Sequence, residues 1–160
     1  MPGPLNGPLN GPLDGLKVLE LSEIIAAPYA AMLLADMGSD VIKVEPPWGE
    51  PWRLFQQFVP LESRTFMAVN RGKRSLPLDL TKPEGQEIVR KLVPDMDVVV
   101  VNYRPDVPAR LGVDYEALSS LNPRLIYCEN TAFGSVGPMS RLPGYDIIVQ
   151  ATSGLMASEG

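Results

Sequence analysis

Leu16-Lys17-Val18-Leu19-Glu20-Leu21 alternates apolar and polar side chains, the period of a short β-strand. Asp40-Val41-Ile42-Lys43-Val44 repeats that pattern further along. Between them, Ala26 to Met37 reads as a helix with Pro28 in its first turn and Gly38 at its C-terminal end. Ala26, Ala30, Leu33, Leu34 and Met37 are the residues this reading puts on one buried face. Strand, helix and strand in about thirty residues make a βαβ unit, with parallel strands and a right-handed crossover.

Outward from this unit the alternation continues. Ser75 to Leu78 reads as a strand, and Thr81 with Glu84 matches a capping box at the start of a helix burying Ile88, Val89, Leu92 and Val93. Val98-Val99-Val100-Val101 has the composition of a strand covered on both faces. A short helical stretch near Tyr115–Leu121, a strand at Leu125–Cys128 and a helix from Tyr145 to Met156 complete the pattern. The expected class is α/β, with a doubly wound parallel sheet. Pro46 to Pro60 is loop-like but carries Trp48, Trp52, Phe55 and Phe58, aromatic surface that calls for cover from elsewhere in the protein or from a second chain.

Upstream, Pro4-Leu5-Asn6-Gly7 recurs as Pro8-Leu9-Asn10-Gly11 and Pro12-Leu13-Asp14-Gly15. Proline and glycine at this density predict a flexible leader over residues 1–15, with an ordered domain over 16–160.

Composition narrows the chemistry. The chain has 160 residues, 45% hydrophobic and 21% charged, enough for one domain with a real core. No apolar run reaches the roughly 18 residues of a membrane helix, and the start lacks a secretory pattern, so a cytoplasmic location is expected. Histidine is absent, which removes Ser–His, Cys–His and His-ligated metal mechanisms. One cysteine, Cys128, excludes an intrachain disulfide and multi-cysteine zinc sites, and its place in a strand reads as a buried, inert small hydrophobe. A net charge of −5 argues against nucleic acid as a partner. An anionic small molecule needs only a local cationic cluster.

Open parallel sheets bind ligands beyond the carboxyl ends of their strands. After the first strand, Ser22 to Pro28 offers no Ser, Thr, Asp or Asn at the expected cap, so its amides are open either to water or to an anion. Asn70-Arg71-Gly72-Lys73-Arg74-Ser75 carries three cations in four residues, and reads as a solvated basic turn or a phosphate contact. Asn102-Tyr103-Arg104-Pro105 directly follows the valine strand and leads to Arg110. Asn can read an adenine edge, Tyr can stack and Arg can hold a phosphate, whereas a capped polar loop is the alternative. Asp146 is explained by helix capping.

In order, Gly11-Pro-Leu-Asp-Gly-Leu-Lys-Val-Leu-Glu-Leu, Ala27-Pro-Tyr through Leu34-Ala-Asp-Met-Gly-Ser-Asp-Val-Ile-Lys-Val-Glu, Asn70-Arg-Gly-Lys-Arg-Ser-Leu-Pro-Leu-Asp-Leu, Val101-Asn-Tyr-Arg-Pro and Gly144-Tyr-Asp resemble the family III CoA-transferases. That group includes formyl-CoA transferase, carnitine CoA-transferase and α-methylacyl-CoA racemase. The resemblance implies a Rossmann-like domain that binds coenzyme A or acyl-CoA, incomplete relative to the full family fold, and an interlocked homodimer of whole chains. It also implies transfer of CoA between carboxylic acids, with an acyl-enzyme formed on an Asp beyond these residues and no metal. By the same resemblance Ile24, Ile25 and Ala26 line the CoA pocket. Asn102, Tyr103 and Arg110 surround the adenine and phosphates, Arg104 joins them from its place after the valine strand, and Lys73 and Arg74 form a basic turn.

Pro47 stands where some members carry a phosphate-facing Arg. Tyr145 replaces the proton-transferring His of the racemases, which favours the transferase branch. A non-catalytic CoA-binding chain is the rival reading, and a racemase the weaker one.

Overall fold

The computed structural model describes residues 11–55, 57–59 and 62–159. In chain order the elements are β1 (Lys17–Leu21), α1 (Ala26–Asp36), β2 (Asp40–Glu45), α2 (Pro51–Leu54), β3 (Gln57–Val59), β4 (Glu62–Ser63), α3 (Arg64–Asn70) and β5 (Arg74–Pro77). They continue with α4 (Pro83–Leu92), a 3-10 turn at Val93–Asp95, β6 (Val98–Val101), α5 (Val107–Leu111), α6 (Tyr115–Ser119), β7 (Ile126–Glu129), α7 (Asp146–Ser153) and α8 (Leu155–Glu159). Five strands form a parallel sheet in the order β5-β2-β1-β6-β7. β3 and β4 make a separate antiparallel pair. The expected βαβ unit is present, and β1 is the central strand.

The valine run shows why this sheet must be covered twice. Val99 and Val101 pack with Leu19, Leu21, Val89, Val93 and Leu118, while Val98 and Val100 pack with Val18, Val41, Ala27 and Ala31. Each strand residue faces opposite to its neighbour, so four consecutive valines supply two cores at once. α4 and α6 serve one core and α1 the other, which is the doubly wound arrangement.

Several local expectations are corrected. α1 buries Ala27, Pro28, Ala31 and Met32, leaving Ala26, Ala30, Leu33 and Met37 exposed and Leu34 partly buried. The helix is apolar on nearly every side, so periodicity could not choose its inner face. Alanines at i and i+4 let the helix axis lie close over Val18 and Val41, and the bulkier side chains turn outward. The capping box does not form. Lys82 is the N-cap of α4 without a side-chain hydrogen bond, and Thr81 instead donates its N–H and hydroxyl to Asp79 Oδ1. Pro83 at the first helical position, with no N–H to satisfy, makes that cap dispensable.

Cys128 is exposed rather than buried, because β7 is an edge strand whose residues are all exposed or half-buried. Asp146 lies in the first turn of α7 rather than at its cap, which is Tyr145, and its carboxylate accepts from Gln150 Nε2. The helix expected from Tyr145 to Met156 is two helices broken at Gly154, whose φ is +82°.

Residues 1–10 of the expected leader lie outside the described residues. Residues 11–15 form turns tied to the end of α1, with Leu13 N–H donating to Met37 O at 3.0 Å. A Cβ on Gly11 would come 2.0 Å from that carbonyl oxygen, so only glycine fits there. In the aromatic stretch, Trp48 and Phe55 are exposed, Trp52 is half-buried, and the Phe58 side chain lies outside the described residues.

Candidate functional site

β1 leads through α1 to β2 on one side of the sheet, whereas β6 leads to β7 on the other. The two outgoing loops therefore part at the carboxyl ends of β1 and β6, the switch point where doubly wound sheets hold ligands. A cleft of about 1300 Å³ opens there, lined by Ile24, Ile25, Ala26, Trp48, Asn102, Tyr103 and Arg104 among others. Leu142 to Ile147 form its far wall. Its volume exceeds the usual small-molecule pocket and suits a long ligand.

The floor of the cleft is a constrained loop. Asn102 Oδ1 accepts from Glu23 N–H at 2.8 Å, and its Nδ2 donates to Glu23 O at 2.8 Å. The next residue, Ile24, has φ +68°, a left-handed backbone that a β-branched side chain disfavours. Such a conformation costs about 1–3 kcal/mol and persists only where its surroundings over-determine it. Ile24 N–H donates to Glu50 Oε2 at 3.2 Å. α1 then starts from Ile25 with no side-chain cap, and its first residues border the cleft.

Beneath this loop lies a buried ionic cluster. Lys43 Nζ donates to Glu20 Oε1 and Ser22 O, both at 2.8 Å, and is 3.2 Å from Glu50 Oε2. Lys73 Nζ is 2.7 Å from Glu20 Oε2 and donates to Pro28 O and Asn70 Oδ1. All four charged side chains, Glu20, Lys43, Glu50 and Lys73, are at most 2% exposed. Charges this deep are tolerable only when paired and hydrogen-bonded. Glu45 closes the cluster towards solvent, gripped by Arg53 through two hydrogen bonds of 2.6 Å, and Arg53 stacks on the Phe66 ring.

The protonation tendencies follow from this burial. Burial pushes the Glu50 carboxyl up, against the pull of Lys43 and of Ile24 N–H. Burial also raises Glu23, again opposed by Lys43, and lowers Lys73 against the pull of Glu20. For Glu45 burial acts upward, but hydrogen bonds from Arg53 and Ser75, the Arg53 charge and the Glu50 N–H together bring it below the usual carboxylate range. Tyr103 is held protonated, first by burial and then by the Glu23, Glu20 and Glu50 charges. Among the described residues, no group of three or more His, Cys, Asp or Glu side chains could hold a metal ion. No helix among them is long and apolar enough to cross a membrane.

Known proteins share this fold and much of this sequence. The model of CoA-transferase family III matches residues 13–160. The chain belongs to this family. It is 47% identical over 154 residues to the succinate–glutarate CoA-transferase of Agrobacterium fabrum, and 42% identical over 147 residues to the acetyl-CoA:oxalate CoA-transferase of Acetobacter aceti. Each match covers 91% of this chain but only 38% of the relative, so the chain spans well under half the length of these enzymes. The crystal structure of a CAIB/BAIF family protein from Brucella suis superposes with a TM-score of 0.86 at 45% identity, covering 92% of this chain and 40% of the other.

Within the family III chain, the site residues expected from sequence fall into three groups. Ile24, Ile25, Ala26, Asn102, Tyr103 and Arg104 border one cleft. Arg110 sits exposed on α5, outside the cleft lining. Lys73 and Arg74 go elsewhere, although they are neighbours in sequence. Lys73 is buried against Glu20, and Arg74 is an exposed partner of Asp40 at the amino ends of β5 and β2. Sequence reasoning missed Glu20, Lys43 and Glu50. A signal was present, since Glu20 and Lys43 interrupt apolar strands on the face that also carries Val18 and Val41, and the register sets them side by side.

Proposed function

We propose that this chain supplies the coenzyme A-binding part of a transferase that moves CoA between carboxylic acids. The observation that carries the reading is the uncapped start of α1, opening on the switch-point cleft that Arg104 also lines. A helix start presents backbone amides and a partial positive charge, and Arg adds a fork suited to phosphate. Membership of family III and similarity to enzymes named as CoA-transferases support the substrate class.

In this reading Ile24, Ile25 and Ala26 offer backbone and apolar contact to the ligand, while Arg104 and Arg110 meet its phosphates from the loop after β6 and from α5. Asn102 acts through the loop it holds. The carboxylate that attacks the thioester carbonyl and displaces the CoA thiolate is an Asp outside these 160 residues, and whole chains pair as homodimers. The 160 residues alone then bind CoA and exchange none of it.

Calorimetric titration with CoA tests the first half. Saturable binding is expected, and its absence at millimolar CoA overturns the reading. Incubation with acyl-CoA donors and free acid acceptors tests the second. Turnover that Asp146→Ala abolishes would make Asp146 the nucleophile and refute the assignment outside the chain.

A further inference from the structure

Glu50 is the buried carboxylate that the CoA-site reading leaves without a task. It follows Gly49 (φ +81°) and immediately precedes α2, and it is 1% exposed. One oxygen, Oε2, serves both Lys43 and the Ile24 N–H, while Oε1 has no hydrogen-bond partner. Glu20 carries one negative charge and pairs with both Lys43 and Lys73, so Glu50 supplies the second negative charge that the two buried ammoniums need. Beyond that balance of charge, the same oxygen reaches the backbone of Ile24, the one non-glycine residue with positive φ among the described residues.

We propose that Glu50 is a positioning residue: its carboxylate, anchored by Lys43, latches the strained Ile24 peptide and thereby sets the direction in which the start of α1 faces the cleft. Asn102 accepts from Glu23 N–H and donates to the carbonyl of the same Glu23–Ile24 peptide, so that peptide is pinned at its C=O and at its N–H from two different parts of the chain. Two pins over-determine a turn that neither residue type would adopt unaided. The role in ligand binding rests on the reading of the cleft as a CoA site, whereas the latch itself does not.

A double-mutant cycle with Ile24→Gly separates the latch from simple packing. Glycine adopts positive φ without strain, so the loop should need Glu50 less. Glu50→Met preserves volume and removes the acceptor, and is expected to weaken CoA binding about tenfold, the scale of one lost charge-assisted hydrogen bond. In the Ile24→Gly background the same change should cost roughly threefold or less. Glu50→Gln keeps an acceptor oxygen and should hold the Ile24 amide near wild-type protection from hydrogen exchange. Unchanged affinity in Glu50→Met, or an equal loss in both backgrounds, overturns the proposal.

If the wild-type chain binds no CoA, the site reading fails and the latch is judged by exchange alone. Faster exchange of the Ile24 amide in Glu50→Met, by about tenfold with β6 amides unchanged, supports it, and unchanged exchange refutes it. Should Glu50→Met not fold, Glu50→Asp, which withdraws the carboxylate by one methylene, enters the same cycle with the same expectations.

Discussion

The Asn102 carboxamide grips both faces of the Glu23 backbone, taking its N–H and giving to its C=O at 2.8 Å each, across 79 positions of sequence. This pair ties the loop after β1 to the loop after β6 at the point where the sheet divides. Asn102→Ala removes two hydrogen bonds and leaves two polar groups in a part-buried place, so a loss of about 2 kcal/mol is expected. Asn102→Asp should be nearly as damaging, since it sets a carboxylate oxygen against the Glu23 carbonyl. Urea unfolding at neutral pH checks both, and an alanine variant as stable as wild type contradicts the clamp.

Lys73 and Arg74 offer a contrast between adjacent cations. Lys73→Met strips one partner from a buried carboxylate, and a loss of about 3 kcal/mol is expected. Arg74→Ala breaks a pair with Asp40 in which both side chains are about half exposed or more, and should cost less than about 1 kcal/mol. Equal unfolding midpoints for the two variants would remove the distinction.

Glu45 predicts a pH dependence. Its folded pKa lies below the ordinary value, chiefly through Arg53 overcoming burial, so its contribution is present above the unfolded pKa and lost as pH falls through the lowered one. Glu45→Gln should therefore lower Tm at neutral pH, and the gap from wild type should close as pH drops below about 4. A gap that stays constant across that range assigns the destabilisation to packing.

Arg104 and Arg110 test the ligand side. Both are exposed, Arg104 at the cleft and Arg110 one element further on. Each alanine variant is expected to weaken CoA binding about tenfold and to reduce its salt sensitivity, as loss of a phosphate contact should. Calorimetry showing wild-type affinity in both would take them out of the site.

Much of this architecture was legible in residue order. The alternation of Lys17–Leu21 and Asp40–Val44, the valines of β6 and Pro28 near a helix start are local signals with local causes, and they define a parallel α/β unit. The motifs from Gly11 to Asp146 likewise carried the family. Local signals failed where two solutions were equally good locally. The inner face of α1 was decided by which side chains let it approach the sheet, and the exposure of Cys128 by β7 lying at the sheet edge.

The candidate site divides in the same way. Sequence by itself put Ile24 and Ile25 after the first strand, Ala26 at the start of the helix that follows, and Asn102 to Arg104 after the valine strand, because strand polarity determines which loops share an end of the sheet. It could not tell that Asn102 spends its amide on Glu23, that Lys73 turns inward while Arg74 stays in water, or that Glu50 reaches Ile24. Those outcomes belong to the tertiary structure. Desolvating a charge is costly, so each buried ion's partner is chosen by which opposite charge or open amide the packed fold brings within about 3 Å, and that distance is not written in residue order.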